Sequence, residues 1–418
     1  MFDELKELIL RNIGKGCEKV KVGINLEADS QKAHKKYQMA LDLVETGDDS
    51  VDSYGKQDRV SKQLPFGISS QMLYKDIVRI AWPSFVELIL TQLTSMADMM
   101  MVGRLGPWAI SSVGLTSQPK FLMMTAFMAM NVGATALVAR YKGEGNIKKA
   151  NSVLRQALLL TFVLSSIASV VGFVFSEQFI RFMGASDPET IAGGTIYLKI
   201  QMAGFVVLAL TSTLTAALRG VGDTRTAMAY NLIANIVNVI FNYLLIFGHF
   251  GFPRMEIAGA SLATVIGQCV AFVIALAVVL RGGRELKLSF KDSFKPDWKI
   301  MKSIFNIGIP AMVEQLVMRT GIIIYVKTVA SLGTVAYATH QVCLNIQGLS
   351  FMNGQAFAVS ATSLVGQSLG KKRPDMAQAY SLRTRRIGMI ISLLIAFGLF
   401  FFGRQVITLY SDDPRVIQ

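Results

Sequence analysis

The chain has 418 residues, of which 52% are hydrophobic, and its mean hydropathy of +0.44 is too high for a soluble protein of this size. The net charge of +14 does not indicate nucleic-acid binding, because residues 1–76 hold 12 basic and 13 acidic residues and the whole excess lies in the apolar remainder. Three scattered cysteines are too few for a disulfide framework or a metal site.

Residues 1–76 are polar and of mixed charge, and we expect them to form a cytoplasmic N-terminal extension. Apolar runs of about 20 residues follow, which is the length that crosses a bilayer as a helix. The fold class expected is an all-α polytopic membrane protein. Nine spans are predicted, at residues 77–102, 110–139, 152–176, 192–218, 226–249, 257–280, 303–330, 336–368 and 377–402.

The distribution of lysine and arginine predicts the orientation in the membrane. Four alternate loops, which follow spans two, four, six and eight, carry 20 of these residues, whereas the opposite loops carry three and the segment after the last span carries two. Cytoplasmic loops are the ones enriched in positive charge. The N-terminus is therefore expected on the cytoplasmic side of a multi-pass protein of the cell membrane.

An internal repeat predicts the architecture. Residues 80–150 align without a gap on residues 307–377, a shift of 227 residues, with 17 of 71 positions identical. The matched pairs include Pro83 with Pro310 and Glu87 with Glu314. Six spans separate the copies, so both copies run in the same direction through the membrane. The sequence thus predicts two parallel-repeat helical bundles, a layout found in secondary transporters.

The repeat also divides the chain. Residues 77–281 are expected to form an N-lobe of six spans, residues 282–302 a basic cytoplasmic linker, and residues 303–418 a C-lobe of spans seven to nine with the start of span ten. A complete second copy would reach about residue 507, given the shift of 227 residues. The expectation from the sequence is that about three spans of the repeat lie beyond Gln418.

Three acidic residues lie within the predicted spans, namely Glu87, Asp98 and Glu314. A carboxylate at the centre of a span costs roughly 2.5–3.5 kcal/mol on insertion scales, so such a residue indicates an ion, proton or substrate site, or a charge pair inside the bundle. Asp98 is the candidate coupling residue, because the apolar run around it has no other reason to carry a charge at that depth. Glu87 and Glu314 could be a second coupling group, and Glu314 could instead neutralise Arg319.

Four stretches of the chain resemble the multidrug and toxic compound extrusion (MATE) family of transporters. They are ADMMMVGRLG after Pro83, LRGVGDTRTAM at 218–228, GIPAMVEQ with LGTVAYATHQ in spans seven and eight, and ATSLVGQSLG at the end of span eight. LRGVGDTR is the most specific of these. The resemblance covers the whole membrane part, residues 77–418.

The resemblance implies that H⁺ or Na⁺ uptake drives the export of amphipathic, often cationic compounds, without a cofactor. It implies that Asp98 and polar residues of the fifth span form an N-lobe cation site. Asn238 and Asn242 lie one turn apart on one face of that span. Many relatives carry Asp where Asn242 stands, and this departure leaves both H⁺ and Na⁺ open. Pro83 resembles the bending proline of the family, and Pro310 is its repeat counterpart.

Other function classes find less support in the sequence. An ATP-driven pump is excluded by the absence of a P-loop, since GQSLGKKR lacks the required spacing. A flippase for lipid-linked saccharides moves a large anionic substrate and would need several basic residues in its central cavity. Arg319 and Lys327 alone are thin support for that role. A non-transporting membrane fragment or receptor is the third alternative. We expect no enzymatic activity, no nucleic-acid partner, and a monomer that contacts the lipid bilayer and small amphipathic substrates.

Overall fold

The computed structural model describes residues 69–185, 187–282, 286–289, 295–330 and 334–408, apart from the side chains of residues 107, 323, 326, 327, 330, 334–347, 349, 350 and 402–408. The predicted extension 1–76 therefore lies almost wholly outside the described residues. Within the described part, eleven α-helices and one short 3₁₀ turn, His249–Gly251, form the structure. The helices are α1 (Ser70–Gly103), α2 (Pro107–Gly143), α3 (Ile147–Val174), α4 (Ser176–Phe182), α5 (Pro188–Ala203), α6 (Phe205–Gly220), α7 (Thr224–Phe247), α8 (Glu256–Arg281), α9 (Trp298–Ala330), α10 (Thr334–Gly370) and α11 (Pro374–Thr408).

Helices occupy all nine predicted spans. Six single helices are long and apolar enough to cross a membrane, and α5 with α6 makes a seventh candidate as a bent pair, among the described residues. The two remaining predicted spans, 303–330 and 336–368, correspond to α9 and α10. Glu314 and Arg319 lie in the middle of α9. An all-helical polytopic membrane fold is confirmed.

The predicted fourth span, 192–218, is not one continuous helix. It breaks at Gly204, where α5 and α6 meet at an angle of 50°. A side chain at position 204 would collide with Val265 of α8, because a Cβ there would lie 2.7 Å from its methyl carbons. The glycine therefore allows α8 to pack directly against the bend. Periodicity alone could not reveal this break, since the run is apolar on both sides.

The LRGVGDTR stretch forms the turn between α6 and α7. Gly222 has a φ of +85°, a conformation that glycine adopts without strain. Asp223 then caps α7, because its side chain accepts hydrogen bonds from the backbone amide and the hydroxyl of Thr226 at 3.3 and 2.7 Å. The motif thus specifies a tight reversal at the lysine- and arginine-rich end of the protein.

The linker after α8 is tied to the bundle. Leu286 and Leu288 are each only 4% exposed and join the largest core cluster. Gln156 of α3 donates to the carbonyl of Lys295 at 2.8 Å and accepts from the amide of Asp297 at 3.1 Å. The expected linker 282–302 also overlaps the first turn of α9, which begins at Trp298.

Glycines allow α2 and α10 to cross at close range. A Cβ on Gly143 would overlap the carbonyl oxygen of Gln367, and a Cβ on Gly370 would overlap the carbonyl oxygen of Arg140. The two contacts are equivalent, because each residue of one pair is related to a residue of the other by 227 positions. Small residues at helix crossings permit this approach in membranes.

A second pair of contacts follows the same shift. Gly133 of α2 packs against the carbonyl oxygen of Ile304 in α9. A Cβ built on Gly133 would lie 2.7 Å from that oxygen. In the equivalent place, the hydroxyl of Ser360 in α10 donates to the carbonyl of Ile77 in α1 at 3.1 Å. The first and second halves of the described chain thus contact one another through corresponding residues.

The basic end of the helix bundle is closed by hydrogen bonds between the two halves. The hydroxyl of Ser363 and the amide of Gln367 both donate to the carbonyl of Gly220 at 3.2 Å. The hydroxyl of Tyr380 in α11 donates to Asp76 of α1 at 2.8 Å. These contacts hold α10 and α11 against α1 and the α6–α7 turn.

We predict that Gly143→Ala destabilises the protein by about 1–3 kcal/mol, because the added methyl group overpacks the crossing with α10. Gly114→Ala on the same helix is the matched control, since a Cβ there meets nothing within 4 Å. Its expected effect is neutral or stabilising, because alanine favours a helix. Thermal unfolding of the purified protein in detergent measures both, and equal midpoints for the two variants would contradict the close crossing.

Candidate functional site

Asp98 and the two predicted asparagines meet at the seam between α1 and α7. Asp98 is partly buried, whereas Asn238 and Asn242 are 6% and 0% exposed. The side-chain amide of Asn242 donates to Oδ1 of Asp98. The four-residue spacing of the asparagines puts both on the face of α7 that packs against α1.

The amide of Asn238 faces the same carboxylate. In the orientation that pairs donors with acceptors, its Nδ2 donates to Oδ1 and Oδ2 of Asp98 at 3.0 and 3.2 Å. Its Oδ1 then accepts from the backbone amide of Thr264 in α8 at 3.2 Å. Both asparagines thus donate to Asp98, and such donors lower the free energy of a carboxylate in an apolar bundle.

The site also holds oxygen atoms that could face a cation. Oδ1 of Asn242 is buried and has no hydrogen-bond partner in the described part of the chain. A half-turn of each amide would direct its oxygen toward Asp98, next to the hydroxyl of Thr264. Carboxylate, amide and hydroxyl oxygens suit hard cations. Among the described residues no cluster of three or more His, Cys, Asp or Glu could hold a metal ion.

Lys120 of α2 is a site residue that sequence reasoning missed. Its side chain is partly buried and donates to Oε1 of Gln201 at 2.8 Å, and its positive charge lies close enough to act on the carboxylate of Asp98. Gln201 in turn donates to the carbonyl of Ser261 at 3.3 Å, and the hydroxyl of Ser261 donates to the carbonyl of Tyr197 at 2.8 Å. A lysine inside span 110–139 should have been noticed by the same reasoning as Asp98, because a charge at that depth is equally rare.

Glu87 forms a charge pair with Arg219. The guanidinium of Arg219 at the end of α6 donates to Oε1 of Glu87 at 2.8 Å, and the side chains are 22% and 7% exposed. Asn231 of α7 donates to the same oxygen at 2.6 Å. Oε2 of Glu87 and Nε of Arg219 are buried without a hydrogen-bond partner in the described chain. From the sequence alone, Arg219 would be placed in a solvated loop.

The polar contacts between α1 and α7 form one continuous seam. Glu87, Thr91 and Asp98 each contact the asparagine 144 residues later in the chain. A constant offset means that the two helices run parallel and in register. The seam thus connects the Glu87–Arg219 pair to the Asp98 site along a single helix interface, through the asparagines at positions 231, 235, 238 and 242.

The structure does not bring the C-lobe candidates to this site. Glu314 is exposed and makes no hydrogen bond or ion pair within the described residues, so its proposed pairing with Arg319 is not found. The guanidinium of Arg319 instead lies 3.8 Å from the ring centroid of Phe121 in α2. The side chain of Lys327 lies outside the described residues. Pro83 and Pro310 lie inside α1 and α9, and both helices continue past them.

We predict that Arg219→Gln destabilises the protein by about 3–5 kcal/mol, because it leaves the carboxylate of Glu87 buried without its counter-charge. The double variant Glu87→Gln/Arg219→Gln should recover most of that loss, as thermal unfolding in a double-mutant cycle would measure. The exposed pair Arg181–Glu177 supplies a control, since Arg181→Gln should cost only about 0–1 kcal/mol. Additive effects of the Glu87 and Arg219 variants would show that the pair does not interact.

The sequence of this chain is similar to those of known proteins. The chain is 30% identical over 348 residues to a probable multidrug resistance protein NorM of Thermotoga maritima, covering 82% of this chain and 74% of the relative. It is 27% identical over 368 residues to the multidrug resistance protein PmpM of Pseudomonas aeruginosa, covering 85% and 75% of the two chains.

Solved structures share the fold. An outward-facing multidrug resistance MATE family transporter of the MOP superfamily superposes with a TM-score of 0.75 at 21% identity, over 85% of this chain and 78% of the other. The MatE family model matches residues 83–244 and 310–418, which include both halves of the repeat. The chain therefore belongs to the MATE family, whose members are membrane transporters and not enzymes.

Proposed function

We propose that this protein exports amphipathic, often cationic compounds in exchange for H⁺ or Na⁺, and that Asp98 is the residue that binds the coupling cation. The observation that carries the proposal is a carboxylate inside the helix bundle, held by two buried asparagines and with Lys120 nearby. The multidrug resistance relatives support the substrate class.

A change in the charge of Asp98 is the proposed coupling event. The carboxylate accepts hydrogen bonds from Asn238 and Asn242 and is attracted to Lys120. A proton or Na⁺ on Asp98 would neutralise that attraction and release the amides to turn their oxygens toward the cation. A ligand drives a conformational change only if it binds one state more tightly than the other. The rearranged amides and the displaced lysine provide this difference between the states.

The conformational change is proposed to be a rocking motion of two lobes, residues 77–281 and residues 303–418, joined by residues 282–302. The paired contacts at a shift of 227 residues, such as Gly143 with Gln367 and Gly370 with Arg140, support equivalent positions for the two copies of the repeat. The hydrogen bonds of Tyr380 and Gln367 close the basic end. If that end is cytoplasmic, as its lysines and arginines indicate, this is an outward-facing state with a cytoplasmic N-terminus.

The remaining candidates have secondary roles in this proposal. Glu87 with Arg219 stabilises the packing of α1 against α6 and α7, and does not carry the coupling ion. Glu314 lies exposed on α9, where a cation or a cationic substrate could reach it. Pro83 and Pro310 are proposed sites of bending during the transport cycle, because each removes a helical hydrogen bond. A monomer is the expected transporting unit.

We predict that Asp98→Asn reduces gradient-driven export to background. The amide of asparagine has no negative charge, so it can neither take up a proton nor attract Na⁺ as the carboxylate does. The assay is efflux of a fluorescent organic cation from proteoliposomes under an imposed pH or Na⁺ gradient. Glu177→Gln is the matched control, since Glu177 is an exposed acid outside the site and its removal should leave transport unchanged. Normal efflux by the Asp98 variant at equal reconstitution would refute the coupling role.

We predict that Asn242→Asp makes transport more dependent on pH and Na⁺. A second carboxylate beside Asp98 favours binding of a cation, because the two negative charges repel each other when no cation is bound. The pH profile of proton-driven efflux should therefore move about one unit higher. In a Na⁺-driven protein, half-saturation should instead occur at a lower Na⁺ concentration. Unchanged profiles for both gradients would show that Asn242 does not face the bound cation.

A further inference from the structure

A groove lies on the outer side of α1 near the basic end. Lys75, Val78, Arg79 and Trp82 occur at intervals of three and four residues and so share one face of α1, opposite the buried face that includes Ile77 and Ile80. Val78 and Trp82 are 49% and 61% exposed. Together with Pro83 and Arg225 of α7, these residues line a cavity of about 470 Å³. The groove thus combines three cations with an apolar wall.

The three basic side chains of the groove have no polar partner among the described residues. Lys75, Arg79 and Arg225 make no hydrogen bond or ion pair within the described part of the chain, whereas other basic residues at this end do, such as Arg373 with Asp375. Arg79 and Arg225 also line a neighbouring cavity of about 970 Å³, whose charged residues are of both signs: Asp76, Lys142, Asp223 and Lys371. The groove itself has only the three cations and no acidic residue in its lining, and cations gathered at one place attract an anion.

The apolar wall restricts which anion can fit. Val78 and Trp82 continue from the cations along a transmembrane helix toward the middle of the membrane, so the ligand should carry a hydrocarbon chain next to its charge. Tryptophan is enriched at the height of lipid headgroups, and basic pockets between helices bind anionic headgroups. A soluble phosphate would leave the wall uncovered, and the cationic compounds proposed for export would be repelled.

We propose that this groove binds one anionic phospholipid of the basic-side leaflet, with its phosphate held by Lys75, Arg79 and Arg225 and an acyl chain packed on Val78 and Trp82. The site is separate from Asp98 and does not depend on the proposed transport function. Each cation near a membrane surface favours an anionic lipid by roughly fivefold.

The test uses Trp82 as the reporter, because the chain has only three tryptophans. In the full-length Trp108→Phe/Trp298→Phe background, fluorescence is measured in vesicles of phosphatidylcholine that contain either brominated phosphatidylglycerol or brominated phosphatidylcholine. We expect the mole fraction that gives half-maximal quenching to be at least about fivefold lower for the brominated anionic lipid than for the brominated zwitterionic lipid. Equal quenching curves for the two brominated lipids would overturn the proposal.

Two variants distinguish a local site from general attraction to the basic surface. Lys75→Gln/Arg79→Gln/Arg225→Gln should abolish the preference while leaving quenching by brominated phosphatidylcholine unchanged. The control Lys148→Gln/Lys149→Gln/Lys372→Gln removes the same charge from exposed sites at the same end and should retain the preference. Loss of the preference in both variants would show nonspecific attraction and refute the groove. Displacement of the lipid by millimolar inorganic phosphate would identify a soluble-anion site instead.

Discussion

The need to place charged groups inside an apolar helix bundle dominates this structure. Hydrocarbon offers no water, so each buried polar group must find a partner in the protein. The parallel, in-register packing of α1 and α7 provides those partners at a constant offset of 144 residues. Glu87 forms an ion pair with Arg219 at one end of this seam, whereas Asp98 accepts hydrogen bonds from neutral amides at the other and has Lys120 nearby. The two carboxylates thus have different partners: a direct counter-charge for Glu87, and amide donors for Asp98.

The seam lies on the same helix as contacts between the two halves of the chain. Asp98 and Glu87 are eleven residues apart on α1, which corresponds to about 16 Å along a helix. Eleven residues further toward its N-terminus, α1 reaches Asp76, which accepts the hydroxyl of Tyr380 from α11. A single helix therefore connects Asp98 to the hydrogen bonds at the basic end. Pro83 lies between them, at a point where the backbone has lost one hydrogen bond.

Close helix crossings make the contact between the two halves possible. At Gly133, Gly143 and Gly370 the backbone of one half directly touches the backbone of the other. Such crossings rely on dispersion and short polar contacts, because apolar surface gains little by leaving lipid. A small apolar cluster between the halves, which includes Leu73, Ile77, Ile80 and Leu364, adds to these contacts.

Hydropathy, composition and register are properties of the chain order, so the amino-acid sequence predicts the membrane class, the nine helical segments and the 227-residue repeat, and it identifies Asp98 as the candidate coupling residue. It also puts Asn238 and Asn242 on one helical face. Only the packing of the helices reveals that this face meets Asp98, that Lys120 lies nearby, that Arg219 neutralises Glu87, and that the fourth span bends at Gly204. These outcomes depend on which helices become neighbours and at what height. Helical periodicity specifies which residues share a face, but the partner of that face is chosen by packing across the whole bundle.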